Sequence, residues 1–217
     1  MKRKTELVNN QYYHIFTKSI EEYKVFNNRN DFIRIINMIQ YYKKEDLMHR
    51  YSIYMKLSKN EKIRVAENIK NNADLIDIIA FCIMPTHIHL ILKQNKVNGI
   101  SLYMRNILNS YSHYFNVLND RKGPLWEGKF KNVLIDTDEY MYHLTRYIHL
   151  NPVTANLVEN PGEWKYSSYN EYLLKSDNRI CNYSDILCIN SSKYKEFVEE
   201  RIEYQRELAK IRKLIFD

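Results

Sequence analysis

The 217-residue chain has three cysteines, Cys82, Cys181 and Cys188, an odd number with no CxxC pair among them. That count fits neither a disulfide framework nor a zinc knuckle, and the three read as buried or idle thiols. No stretch approaches the ~18 uninterrupted apolar residues of a membrane span. The opening MKRKTELVNN has basic residues but no apolar run after them, so a cytoplasmic protein with no membrane partner is expected. Internal repeats and low-complexity tracts are missing too. What is present can fold: 45% hydrophobic and 13% aromatic residues, with 19 tyrosines, suffice for a core. The length suits one domain with appendages.

The net charge of +7 is unevenly spread. Residues 1–70 hold 15 Lys+Arg against 8 Asp+Glu, whereas the remaining 147 residues are balanced at 18 of each. A basic surplus suits a polyanion such as nucleic acid, because each neutralised phosphate releases counterions; a solvated surface gives the same count.

Along the chain, the β-branched and aromatic segment from Tyr12 to Ile20 reads as a strand. A helix capped by Asn30 or Asp31 follows to about Lys44, with Phe32, Ile35, Ile36 and Ile39 on one face. Tyr51–Leu57 reads as a second strand, and Glu61–Asn71 as a short polar helix or an elaborated loop. The apolar run Leu75–Met84 and the alternating HIHLILK after Pro85-Thr86 read as adjacent strands joined by a tight turn. Ser101 is placed to cap a helix to about Leu118, and Leu125–Ile135 reads as a strand bent at Gly128. Asp136 and Glu139 resemble a capping box for a helix from Thr137 toward Asn151, ending or kinking at Pro152. Residues 159–169 read as an irregular loop, and Tyr194–Phe216 as an amphipathic terminal helix. This order argues for an α+β fold, an antiparallel sheet covered by helices, with a C-terminal helical tail.

Two histidines, His87 and His89, sit two apart on a predicted strand, so both imidazoles share a face while Ile88 points to the other. The pair suits a metal, and it also suits the polar face of a half-buried strand. Tyr147 and Asn151, four apart on a predicted helix, present a phenol and an amide oxygen to one surface. Two imidazoles and a carboxamide oxygen can hold a hard divalent cation with positions left for water or phosphate oxygens. Alternatively Tyr147 is one more packed aromatic and Asn151 a helix terminator. His143 lies one turn before Tyr147 and His149 points elsewhere; both read as structural or surface residues.

MPTHIHLIL at 84–92, followed by GPLWEGKFKNVLIDTDEYMYHLTRYIHLNPVTANLVENPGEWKYSSYNEYL at 123–173, resembles the single-tyrosine HUH transposases. The likeness is greatest to the branch that includes the REP-associated tyrosine transposases. It begins at YYHIFTKSI and covers about residues 1–173, leaving 174–217 as a C-terminal extension. The resemblance implies a ferredoxin-like or RRM-like sheet, a divalent ion (Mg or Mn) on His87, His89 and Asn151, and Tyr147 as the catalytic nucleophile. It further implies an enzyme of mobile elements, a DNA endonuclease and transposase. Such an enzyme cuts and rejoins single-stranded DNA at hairpins through a 5′-phosphotyrosine link, as a monomer or homodimer. Lys2, Arg3, Lys4, Arg121, Lys122, Lys129 and Lys131 are candidate DNA contacts, and the basic front of the chain is the first place to seek the DNA path. Where the family usually has Asn before the first histidine, this chain has Thr86; its NPVRAGLV becomes NPVTANLV, with Thr154 and Asn156 replacing a basic residue and a glycine. The other readings are a non-catalytic RRM-like nucleic-acid binder, a related HUH nickase of the replication-initiator or relaxase kind, and a zinc hydrolase, which would need a further His or Cys ligand.

Overall fold

β1 (Tyr12–Lys18) sends Tyr13 and Ile15 to one side of the sheet and His14, Phe16 and Lys18 to the other, so both faces are set within seven residues. The computed structural model describes residues 6–176, 179–183 and 190–207. Its sheet has four antiparallel strands in the order β2-β3-β1-β4, with β2 (Ile76–Met84), β3 (His87–Gln94) and β4 (Lys131–Ile135). This is the ferredoxin-like order: helical crossovers join β1 to β2 and β3 to β4, and a hairpin at Pro85-Thr86 joins β2 to β3.

Two cores follow from the two faces. On one, Tyr13, Ile15, Ile88, Leu90 and Phe81 meet α1 (Arg29–Tyr41) and α4 (Gly99–Leu118), whose buried stripes carry Ile35, Met38 and Ile39, and Tyr103, Ile107 and Tyr111. Gly99 is required here, because a Cβ at that position would collide with the Leu75 carbonyl. On the other face, Ala80, Cys82, Met84 and Ile91 pack against Met141, Leu144 and Ile148 of α5 (Asp138–Thr154). The tail folds back on this layer. Tyr194 and Val198 of α7 (Ser191–Glu199) are buried in the same core, and residues 202–207 are again helical. The predicted helix beyond residue 207 lies outside the described residues, as does Cys188.

Several boundaries differ from the sequence reading. Tyr51–Leu57 is not a strand: its first part is the helical turn α2 (Tyr51–Tyr54), because the Tyr51 and Tyr54 rings both pack against Tyr41, edge-on at 5.4 Å and tilted at 4.8 Å, and helical spacing brings them to one side. α3 (Lys59–Lys70) is a full helix, closed by a Ser58–Glu61 capping box. The cap of α1 is Asn28, whose side chain accepts from the Asn30 and Asp31 amides, and α4 starts at Asn98 in the left-handed region rather than at Ser101. Residues 125–130 are not a continuous strand: Trp126 makes an isolated antiparallel bridge to Ser19, Leu125, Trp126 and Phe130 turn into the core, and the β4 ladder starts at Lys131. Thr137, not Asp136, caps α5 by accepting from the Tyr140 amide. Pro152 neither ends nor interrupts α5, which runs on to Thr154. The helix closes at Asn156, whose φ of 54° is the left-handed value that glycine favours and asparagine tolerates, so the exchange of the family's glycine keeps the turn.

Candidate active site

On the α5 face of the sheet, the antiparallel register puts His87 opposite Lys18, His89 opposite Phe16, and His14 opposite Ile91. Side chains two apart on each strand face the same way, so His14, Phe16, Lys18, His87 and His89 form one patch. The His87 and His89 rings are 5.0 Å apart and nearly perpendicular. α5 lays Tyr147 over them: its ring stands edge-on to His89 at 5.8 Å and to His14 at 6.5 Å, and remains 41% exposed. Asn151 lies one helical turn further on, its Nδ2 donating to the Tyr147 carbonyl at 2.9 Å, which leaves Oδ1 as the available acceptor.

Both histidines are held through Nδ1. His87 Nδ1 is 2.9 Å from Thr86 Oγ1, so the Thr86 exchange keeps a polar partner in place, and His89 Nδ1 is 3.0 Å from His14 Nε2. Among the described residues no protein group bonds either Nε2. Burial lowers the pKa of His87 to about 4, helped by the Lys18 charge, and holds His89 well below the usual histidine range, helped by the His87, His14 and Lys18 charges. Burial also lowers His14 to about 4. All three imidazoles are therefore neutral at pH 7, the form that coordinates metals.

The donor chemistry fits a divalent ion such as Mg or Mn: two neutral imidazoles and one carboxamide oxygen, with no anionic sulfur. Cys82 sits across from His89, but burial pushes its thiol up and keeps it protonated. Among the described residues, no three His, Cys, Asp or Glu side chains gather as a zinc hydrolase site would require.

His143 turns away from this patch, toward Arg146 at 2.8 Å and Glu139 at 3.8 Å. His149 is fully buried, with Nδ1 2.7 Å from the Tyr194 hydroxyl and Nε2 2.7 Å from Ser168 Oγ. It fastens α5 to the tail and to the loop that edges β2. Arg146 adds a second fastening by lying over the Phe197 ring at 4.2 Å and pairing with Glu200 at 3.2 Å.

Of the candidate DNA contacts, Lys131 lies opposite Phe16 on the active face, with its ammonium 5.9 Å from that ring. Lys122 and Lys129 are exposed in the preceding loop. Arg121 is committed to that loop, donating to Asn116 Oδ1 and to the Gly123 and Pro124 carbonyls. Lys2, Arg3 and Lys4 lie outside the described residues. Part of the basic surplus at the front is used locally: Lys43 and Lys44 pair with Asp74, and Arg34 stacks over Tyr114 at 3.9 Å. Lys18 and His14 belong to the patch, yet no motif marked them. Their signal was alternation on β1 combined with the strand pairing, and the pairing is not written in a single strand.

The site is thus a ferredoxin-like sheet with a His-x-His strand beneath a helix-borne tyrosine. Residues 47–151 match the family described as IS200-like transposases. A Haemophilus influenzae protein named as a REP-associated tyrosine transposase is 28% identical over 103 residues, which take in 43% of this chain and 58% of that relative's length. A solved structure of a REP-associated tyrosine transposase bound to a REP hairpin superposes with a TM-score of 0.56 at 14% identity, covering 87% of this chain and 98% of that one. At that identity the likeness speaks for the fold. No described helix is long and apolar enough to cross a membrane.

Proposed function

We propose that this chain is a DNA transposase that cuts and rejoins single-stranded DNA at hairpin-associated sites, with Tyr147 as nucleophile and His87, His89 and Asn151 as the holders of a Mg or Mn ion. The observation that carries the reading is the exposed phenol of Tyr147 standing 5.8 Å from the buried His89 ring, whose partner His87 is 5.0 Å away. In the reaction Tyr147 Oη attacks the scissile phosphorus and forms a phosphotyrosine ester to the 5′ side. The bond to the 3′ oxygen breaks, and the phenol proton passes overall to that oxygen. Because the ester conserves the energy of the cut bond, a 3′ hydroxyl rejoins the strand by the reverse step without a nucleotide cofactor. A bound divalent ion would polarise the phosphate and offset the charge that builds on its oxygens.

The chain's own contribution is placement. Lys18, exposed and directly opposite His87, meets the phosphate from β1, while Lys129 and Lys131 follow the strand and Phe16 offers a face for an unpaired base. Tyr147 lies over the histidines of its own chain, which supports a complete reaction centre in each copy whether the protein works as a monomer or a homodimer. A labelled single-stranded hairpin oligonucleotide tests the reading. Wild type is expected to form a covalent adduct that EDTA abolishes, and Tyr147→Phe to bind the oligonucleotide without forming the adduct. An adduct that persists in Tyr147→Phe rejects the nucleophile, and nicking that survives EDTA rejects the ion.

A further inference from the structure

His14 belongs to none of the sequence motifs, yet it supplies the side-chain hydrogen bond that holds His89. Its Nε2 lies 3.0 Å from His89 Nδ1, with the two rings stacked at 5.2 Å and 19° from parallel. The strands dictate this contact: His89 faces Phe16 and His14 faces Ile91, so His14 and His89 are diagonal neighbours across β1 and β3, within reach for aromatic rings. Phe16 lies against the His14 ring at 4.9 Å, and only 8% of His14 is exposed, so the ring is enclosed.

Resting on the reading of His87 and His89 as metal ligands, we propose that His14 is a positioning residue of the metal site. It accepts a hydrogen bond from His89 Nδ1–H and thereby fixes the tautomer of His89 that carries its lone pair on Nε2. The argument is one of proton count. A neutral imidazole has one N–H, and two facing nitrogens at 3.0 Å share one proton between them. If His14 donated, His89 would accept on Nδ1 and carry its own proton on Nε2, and neither nitrogen would be left to ligate. If His89 donates, Nε2 is open. His14 is not itself a ligand of the same ion: it occupies the Nδ1 side of His89, away from Nε2, and among the described residues no three such side chains gather. Ligating histidines as a rule give their second nitrogen to an outer partner that fixes ring and tautomer, and loss of that partner costs about 10- to 100-fold in metal affinity.

The test uses full-length protein labelled with ¹⁵N-histidine and two variants, His14→Gln, whose amide oxygen still accepts, and His14→Leu, which cannot. Long-range ¹H–¹⁵N spectra of the metal-free wild type are expected to show His89 protonated on Nδ1. Mn²⁺ titrations followed by electron paramagnetic resonance are expected to show about 10- to 100-fold weaker binding in His14→Leu and recovery to within a few-fold in His14→Gln. A wild-type His89 protonated on Nε2 overturns the proposal, as does wild-type Mn²⁺ affinity in a folded His14→Leu. Equal loss in both folded variants also overturns it. Should the leucine variant fail to fold, the wild-type spectrum and the glutamine variant still decide. A wild type that binds no Mn²⁺ refutes the metal reading, and the His89 spectrum distinguishes that failure from a failure of the His14 role.

Discussion

His149 is the residue through which acid should unfasten α5. It is fully buried on α5, with both ring nitrogens 2.7 Å from hydroxyls, those of Tyr194 and Ser168, and burial lowers its pKa from 6.5 to about 3. The folded protein thus takes up the proton only near pH 3, while the unfolded chain takes it up near 6.5. Between those values the unfolded state binds more protons, so stability is full above pH 6.5 and falls as the pH is lowered, by about tenfold in the folding constant per pH unit. At pH 4.5, two units down, this one residue costs about a hundredfold. His149→Gln removes the titration. At neutral pH the variant should be less stable by about 1–3 kcal/mol, because a buried hydroxyl is left without its partner. Urea unfolding of both proteins at pH 7.5 and pH 4.5 gives the comparison. The gap between them should close, and can reverse, at the lower pH. Curves that stay equally far apart at both values would refute the assignment of acid sensitivity to His149.

Two further perturbations separate the chemistry from the scaffold. Lys18→Gln removes the cation opposite His87; it should weaken oligonucleotide binding and lower the slope of log affinity against log salt by about one, and an unchanged slope would remove Lys18 from the DNA path. Gly99→Ala drives a methyl group into the Leu75 carbonyl; a cost of about 1–3 kcal/mol is expected, read as a melting temperature about 3–10 °C lower. An unaltered melting temperature would show that α4 can shift at no cost.

The parts of the fold that a sequence declares are those set by local periodicity. HIHLILK alternates, α4 and α1 repeat apolar residues at helical spacing, and both patterns survive into the structure within a few residues. Tyr51–Leu57 misleads because its aromatic alternation fits a strand, while ring contacts with Tyr41 in α1, ten and thirteen residues away, decide for a helical turn. Trp126 and Phe130 read as strand residues, but the cavity beneath α4 claims them: Trp126 Nε1 donates to the Leu108 carbonyl. Pro152 stands in the last turn of α5, and the helix continues two residues past it to Thr154. At the site, the residues carried by motifs, His87, His89, Tyr147 and Asn151, could be named from spacing and resemblance. His14 and Lys18 could not, since their place depends on which strand pairs with β3 and in which register.

The role of Tyr147 is open to direct observation, since the chain has 19 tyrosines and only one should carry DNA. Wild-type protein would be incubated with a 5′-extended hairpin oligonucleotide and Mn²⁺, digested with nuclease and protease, and its peptides sequenced by mass spectrometry. A nucleotide phosphate on the peptide containing Tyr147, at that side chain alone, is the expected result. A phosphotyrosine link elsewhere, or cleaved DNA with no linked peptide, would contradict the assignment.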